Sequence, residues 1–136
     1  MKKLISLVCT LALLTVALSS CGAKLPDGMS EENVLASANN VVALLNDEKY
    51  AEICDTMSSE MLTAIKGEAE DAATAFENIW QPVAAETGKF VKTDKTATTG
   101  KDGFAMAVLL CKYENKDITF TLSFDKDMKL AGFFYK

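Results

Sequence analysis

Four cysteines, a tyrosine among carboxylates, and the lack of two residue types decide what chemistry this chain can carry. It has no His and no Arg. Without an imidazole, the Ser-His-Asp and Cys-His routes to an activated nucleophile are closed, and so are imidazole metal sites. A thiol such as Cys54 therefore lacks the base that would activate it. Glu52, Asp55 and Glu77 stand in the same helical region as Tyr50, at positions that suit the solvated face of a helix. Asp125 and Asp127 are turn residues, and Lys129 spoils a calcium loop, so no metal site is expected. No cofactor is expected either. A net charge of −5 and the missing guanidinium fork remove the electrostatic drive toward nucleic acid, which is not expected as a partner.

The remaining chemistry is covalent modification of a thiol. Lys2 and Lys3 precede an apolar run from Leu4 to Leu18, too short for the ~20 residues of a spanning helix and without a charged stop behind it. It reads as a secretory signal over residues 1–20. Leu18-Ser19-Ser20-Cys21 resembles the lipobox of bacterial lipoproteins. That resemblance implies diacylglyceryl transfer to Cys21 and cleavage after Ser20, and the Gly, Pro and Asp content after it reads as a lipidated tether over residues 21–29, of which Gly22 to Met29 span at most ~27 Å when extended. Two or more acyl chains give stable anchoring where one would be marginal. The expected location is the extracytoplasmic face of the cell membrane or outer membrane, with the membrane as a partner through the lipid on Cys21. Losing Lys2 and Lys3 makes the mature chain still more acidic, so lipid and not a basic patch must hold it there.

The remaining cysteines, Cys54 and Cys111, stand on an apolar helix face and in a strand. Export permits a disulfide between them, adding ~4 kcal/mol by the chain-entropy model. Two buried thiols acting as small apolar groups fit equally well.

Residues 30–136 must supply the elements that position these groups. Ser30 before Glu31 and Glu32 is a helix start. Val34, Leu35, Ala38, Val41, Val42 and Leu45 then recur on one helical face up to about Asn46. Asp47 is read as the cap of a second helix carrying Tyr50, Ile53, Cys54 and Met57, and Ser58 as the cap of a third ending before Gly67. A fourth stretch runs from Glu68 to about Glu86, with Glu68, Glu70 and Asp71 as acids of its first turn, Ala69, Ala72, Ala73, Phe76, Ile79, Trp80 and Val83 on one stripe, and Pro82 expected to kink or break it.

After Gly88 the composition turns to Thr, Val and Phe, which favours strands. Gly88 to Thr98 supplies the first strand and Gly100 to Gly103 a turn. Phe104 to about Tyr113 reads as a central strand apolar on both faces. Ile118, Phe120, Leu122 and Phe124 alternate with Thr119, Thr121 and Ser123, and Met128 to Tyr135 closes the set. Helices first and an antiparallel meander afterwards predict an α+β domain, N-terminal helices packed on a four-stranded antiparallel sheet.

The order of these helices, the Trp80 helix running into Gly88-Lys89-Phe90, the Ile118–Phe124 strand and the closing Leu130-Ala131-Gly132-Phe133-Phe134 resemble an uncharacterised domain of small bacterial lipoproteins, also found ahead of α/β-hydrolases. It is similar to the cystatin-like, nuclear-transport-factor-2-like cone. The resemblance implies a curved sheet wrapped around an apolar cavity, and it brings no catalytic residue. Tyr50, Met57, Met61, Phe76, Trp80, Phe104, Phe120 and Phe124 are the candidate lining, and plain core packing accounts for the same residues. The resulting expectation is a lipid-anchored binding or accessory domain for a small apolar ligand, an envelope polymer or an envelope protein. The alternatives are an isomerase-like enzyme, which the resemblance to cone folds implies would pair a cavity carboxylate (Asp55, Glu52 or Glu77) with Tyr50, and a structural interaction module.

Overall fold

A computed structural model describes residues 23–136, so the expected signal segment and Cys21 lie outside the described residues. The helices are α1 (Glu31–Asn46), α2 (Tyr50–Thr56), α3 (Ser59–Lys66) and α4 (Ala72–Thr87), followed by β1 (Phe90–Lys101), β2 (Phe104–Tyr113), β3 (Asp117–Phe124) and β4 (Leu130–Tyr135). The strands pair antiparallel in the order β1-β2-β3-β4. The helices thus precede one antiparallel meander, an α+β arrangement.

Local chemistry explains most boundaries. The Ser30 hydroxyl accepts from the Asn33 amide at 3.2 Å and the Ser58 hydroxyl from Met61 at 3.2 Å, each satisfying an amide that the helix itself leaves free. The α1–α2 junction departs from expectation. Asp47 closes the end of α1, its amide donating to Ala43, and α2 starts after Lys49 without a side-chain cap. Glu48 takes a left-handed φ of 58°, so the chain reverses before Asp47 could serve α2. The last helix also starts later than expected. Asp71 is its cap, accepting from the Thr74 amide at 2.8 Å, and Glu68 and Glu70 precede the helix. Pro82 does not break α4, which continues to Thr87. Ile79, expected on the buried stripe, is 45% exposed.

The core lies between the helices and one face of the sheet. Ile118, Phe120, Leu122 and Phe124 are buried while Thr119, Thr121 and Ser123 are only partly covered, as the strict alternation requires. On β2 the inward residues are Ala105, Ala107, Leu109, Cys111 and Tyr113. The small side chains of Ala105 and Ala107 let the helix layer come close. Trp80 meets Phe120 at 5.6 Å between ring centres, tying α4 to β3. The Ser58 amide donates to the Leu130 carbonyl at 2.9 Å, and Met57 bridges to Leu130 in parallel, fastening the α2–α3 junction to β4.

Ahead of α1, residues 23–29 lie against the sheet and the core. Gly100 donates its amide to the Ala23 carbonyl at 3.1 Å, and a Cβ at Gly100 would collide with the Lys24 carbonyl. Leu25 and Met29 pack on the core behind it.

Candidate functional site

A cleft of about 670 Å³ opens between the α1–α2 turn, the end of α4 and the start of the sheet. The chain builds its rim by capping. Gly88 ends α4 at φ 75°, where a Cβ would press on Glu114 and Asn115 at 3.1 Å. That close approach lets the Asn115 amide donate to the Thr87 carbonyl at 2.9 Å, and the Glu114 amide to the Lys89 carbonyl at 2.9 Å. The Lys89 amide in turn donates to the Glu114 carboxylate at 2.7 Å. Lys116 reaches Glu86 at 2.9 Å, a further tie between the β2–β3 turn and α4.

Inside the cleft the Tyr113 hydroxyl donates to Asn46 Oδ1 at 2.8 Å, joining the end of α1 to the end of β2. This bond fixes which end of the Asn46 amide faces Tyr113. Asn46 Nδ2 is left buried without a partner, and so is the Tyr50 hydroxyl. Both residues line the cleft. Buried polar groups are seldom left unpaired, because each costs about 1–3 kcal/mol of lost hydration. Desolvation raises the Tyr113 pKa well above its usual value, with Cys111 adding to the rise and Asn46 opposing it. Burial, Glu48 and Glu77 raise that of Tyr50. Both phenols therefore stay protonated donors at neutral pH. Phe90, exposed at the start of β1, meets Tyr113 edge-on at 5.5 Å and offers an aromatic wall. The rim carries Asp47, Glu48 and Glu114 against Lys89.

Of the expected lining residues, Tyr50 and Trp80 do face this cleft. Met61, Phe76, Phe120 and Phe124 are buried core. Met57 is buried and edges a separate depression beside Ser58 and Asp125. Phe104, the remaining candidate, is instead 40% exposed on the opposite face of the sheet. The reason is strand parity: successive side chains alternate between faces, and on β2 it is Ala105 that turns toward the helices, which sends Phe104 outward.

Of the carboxylates weighed with Tyr50, Glu77 lies close enough to help raise its pKa. Glu52 and Asp55 are exposed on α2, and Glu77 accepts from Gln81 at 2.9 Å along α4. Cys54 and Cys111 are free thiols, so the bridge that export would permit is not formed. Cys54 lies near Asp71 at the start of α4, whereas Cys111 lies against Thr93 of β1, with 3.7 Å between Sγ and Oγ1. Burial raises both thiol pKa values, which keeps them as unreactive thiols. Among the described residues no group of three His, Cys, Asp or Glu could hold a metal. Sequence reasoning missed Asn46, Tyr113, Phe90 and Glu114. The polar Asn46 at the end of an apolar helix face is the available signal, but its partner stands 67 positions away.

No helix among the described residues is long and apolar enough to cross a membrane. No curated protein and no solved structure matches the chain. A family model described as "Protein of unknown function (DUF3887)" matches residues 38–133, from within α1 to within β4, so it takes in the cleft and both elements that Asn46 and Tyr113 join. With most of its length inside that match, the chain belongs to this DUF3887 family.

Proposed function

We propose that this is a binding domain, held at the extracytoplasmic face of a membrane by lipid on Cys21, that takes a small uncharged, ring-bearing molecule into the cleft beside Tyr50. The observation that carries the reading is the pair of buried, unpartnered polar atoms, Asn46 Nδ2 and the Tyr50 hydroxyl, on two residues that line a cleft whose volume is of ligand size. Asn46 Nδ2 calls for a hydrogen-bond acceptor, and Phe90 offers a surface for a ring. The acids on the rim disfavour an anion. A sheet curved into a cone would suit this use, and the two register breaks in β1 are of the kind that bends a strand.

The test is an NMR screen of uncharged ring-bearing fragments against the wild-type protein and Tyr50→Phe. Fragments should shift the amides of Asn46, Tyr50 and Phe90, and bind more weakly to Tyr50→Phe. The variant itself should be as stable as wild type or up to ~1 kcal/mol more so, because it removes an unpaired buried hydroxyl. Fragments that map elsewhere, or no binding at all, would refute the site.

A further inference from the structure

We propose that the tip of the β1–β2 hairpin and the outer sheet face beside it rest on the lipid bilayer, with Phe104, Met106 and Phe134 as the contact. This orientation rests on the reading of Cys21 as the lipidated residue. Only Gly22 separates Cys21 from Ala23, and Ala23 is held to the hairpin by the Gly100 amide at 3.1 Å. Two residues of extended chain reach ~7 Å, so a lipid at Cys21 brings the bilayer surface to Gly100 and not to an arbitrary part of the domain. The absence of a side chain at Gly100 is what allows Lys24 to lie so close, which makes the attachment point a property of the sequence.

The surface at that end has matching chemistry. Phe104 is 40% and Phe134 is 66% exposed, although each could have been polar at no cost to the core. They line one groove of about 270 Å³ together with Met106, Ala131 and Gly132. The Phe134 ring lies 3.5 Å from where a Gly132 Cβ would stand, so it leans back along the sheet toward Met106. The register places Met106 opposite Ser123 and Ser123 opposite Gly132, which puts the groove in the rows next to the Lys101–Phe104 turn. Lys101 and Asp102 stand side by side on the groove's edge, so its charge is balanced and the rings carry the contact, with the Lys101 ammonium able to meet a lipid phosphate. In a chain of net charge −5, apolar side chains and not general charge must make such a contact.

The full lipidated chain is reconstituted into phosphatidylethanolamine–phosphatidylglycerol vesicles carrying bromine on the acyl chains, which quench nearby tryptophan. Buried Trp80 supplies a constant background. Phe104→Trp should lose most of its added emission, whereas Lys116→Trp, at the β2–β3 turn on the far end of the strands, should keep it. Gly100→Ala, which pushes Lys24 away, should leave the protein on the vesicles and restore the Phe104→Trp emission. Equal quenching at both positions, or none at Phe104→Trp on vesicle-bound protein, would overturn the orientation alone and leave the groove to a protein partner. Failure of the chain to float with vesicles would overturn both the anchor and the orientation.

Discussion

Tyr113 does two things at once: it fills space at the end of β2 and holds Asn46 in one orientation through its hydroxyl. Removing that hydroxyl in Tyr113→Phe leaves Asn46 Oδ1 unpaired as well, and should cost ~1–3 kcal/mol in a denaturant titration. The pH dependence has a definite sign. The folded-state pKa of Tyr113 lies above its ordinary value of 10.0, mainly through desolvation, so the protonated phenol is the form the fold favours. Its contribution is complete below the pKa of the unfolded tyrosine and is lost as the pH rises from there toward the folded value. Wild type should therefore lose more stability than Tyr113→Phe between neutral and strongly alkaline pH. Parallel stability curves for the two proteins would mean that the phenol is not desolvated.

At the scale of elements, the alternation in β3 sets a sharp contrast between neighbours. Phe120→Ala empties a fully buried position and should cost ~3–5 kcal/mol, whereas Thr121→Ala, on the other face, should cost less than about 1. Urea melts of the two variants measure this directly, and equal costs would mean both faces are buried. In α4, Pro82 is exposed and denies the helix one backbone donor, so Pro82→Ala should raise stability by ~1–3 kcal/mol. A loss of stability instead would assign the proline ring a packing role. These elements also show what is legible in the sequence. Ser30, Ser58 and the β3 alternation announce themselves because the signal is local. Phe104 does not, since the run from Phe104 to Leu110 is apolar at every position and carries no parity to read. The start of α4 is obscured because Glu68, Glu70 and Asp71 all suit a first turn, and only the hydrogen bond to Thr74 singles out Asp71. The cleft is half legible: Tyr50 and Trp80 stand out as aromatics, while the Asn46–Tyr113 pair arises only when the sheet folds back on α1.

For the whole molecule, the proposed lipid anchor and the fold are separable. The family match begins at residue 38, well beyond Cys21, and among the described residues the core draws nothing from those before Leu25. Cys21→Ala should therefore release the protein from the membrane fraction with its unfolding midpoint unchanged, checked by fractionation and by thermal melts of the purified protein. Tight retention on the membrane after that change would sink the lipid-anchor reading.

The two edges of the sheet have further consequences for how copies of the protein coexist. The free edge of β4 is occupied at Leu130 by Met57 and Ser58, so a foreign strand finds its first ladder position already taken. On the opposite edge, β1 carries exposed Lys92, Lys95 and Lys101 and breaks register twice, between Phe90 and Lys92 and again between Thr93 and Lys95. A second β1 brought alongside would have to match an interrupted row of donors and acceptors, and would meet the edge already held at Gly100 by the Ala23 carbonyl. Strand-to-strand association is thus obstructed at both edges of the sheet, which would let a chain with this many aromatic strand residues be crowded by the proposed anchor without seeding cross-β aggregates.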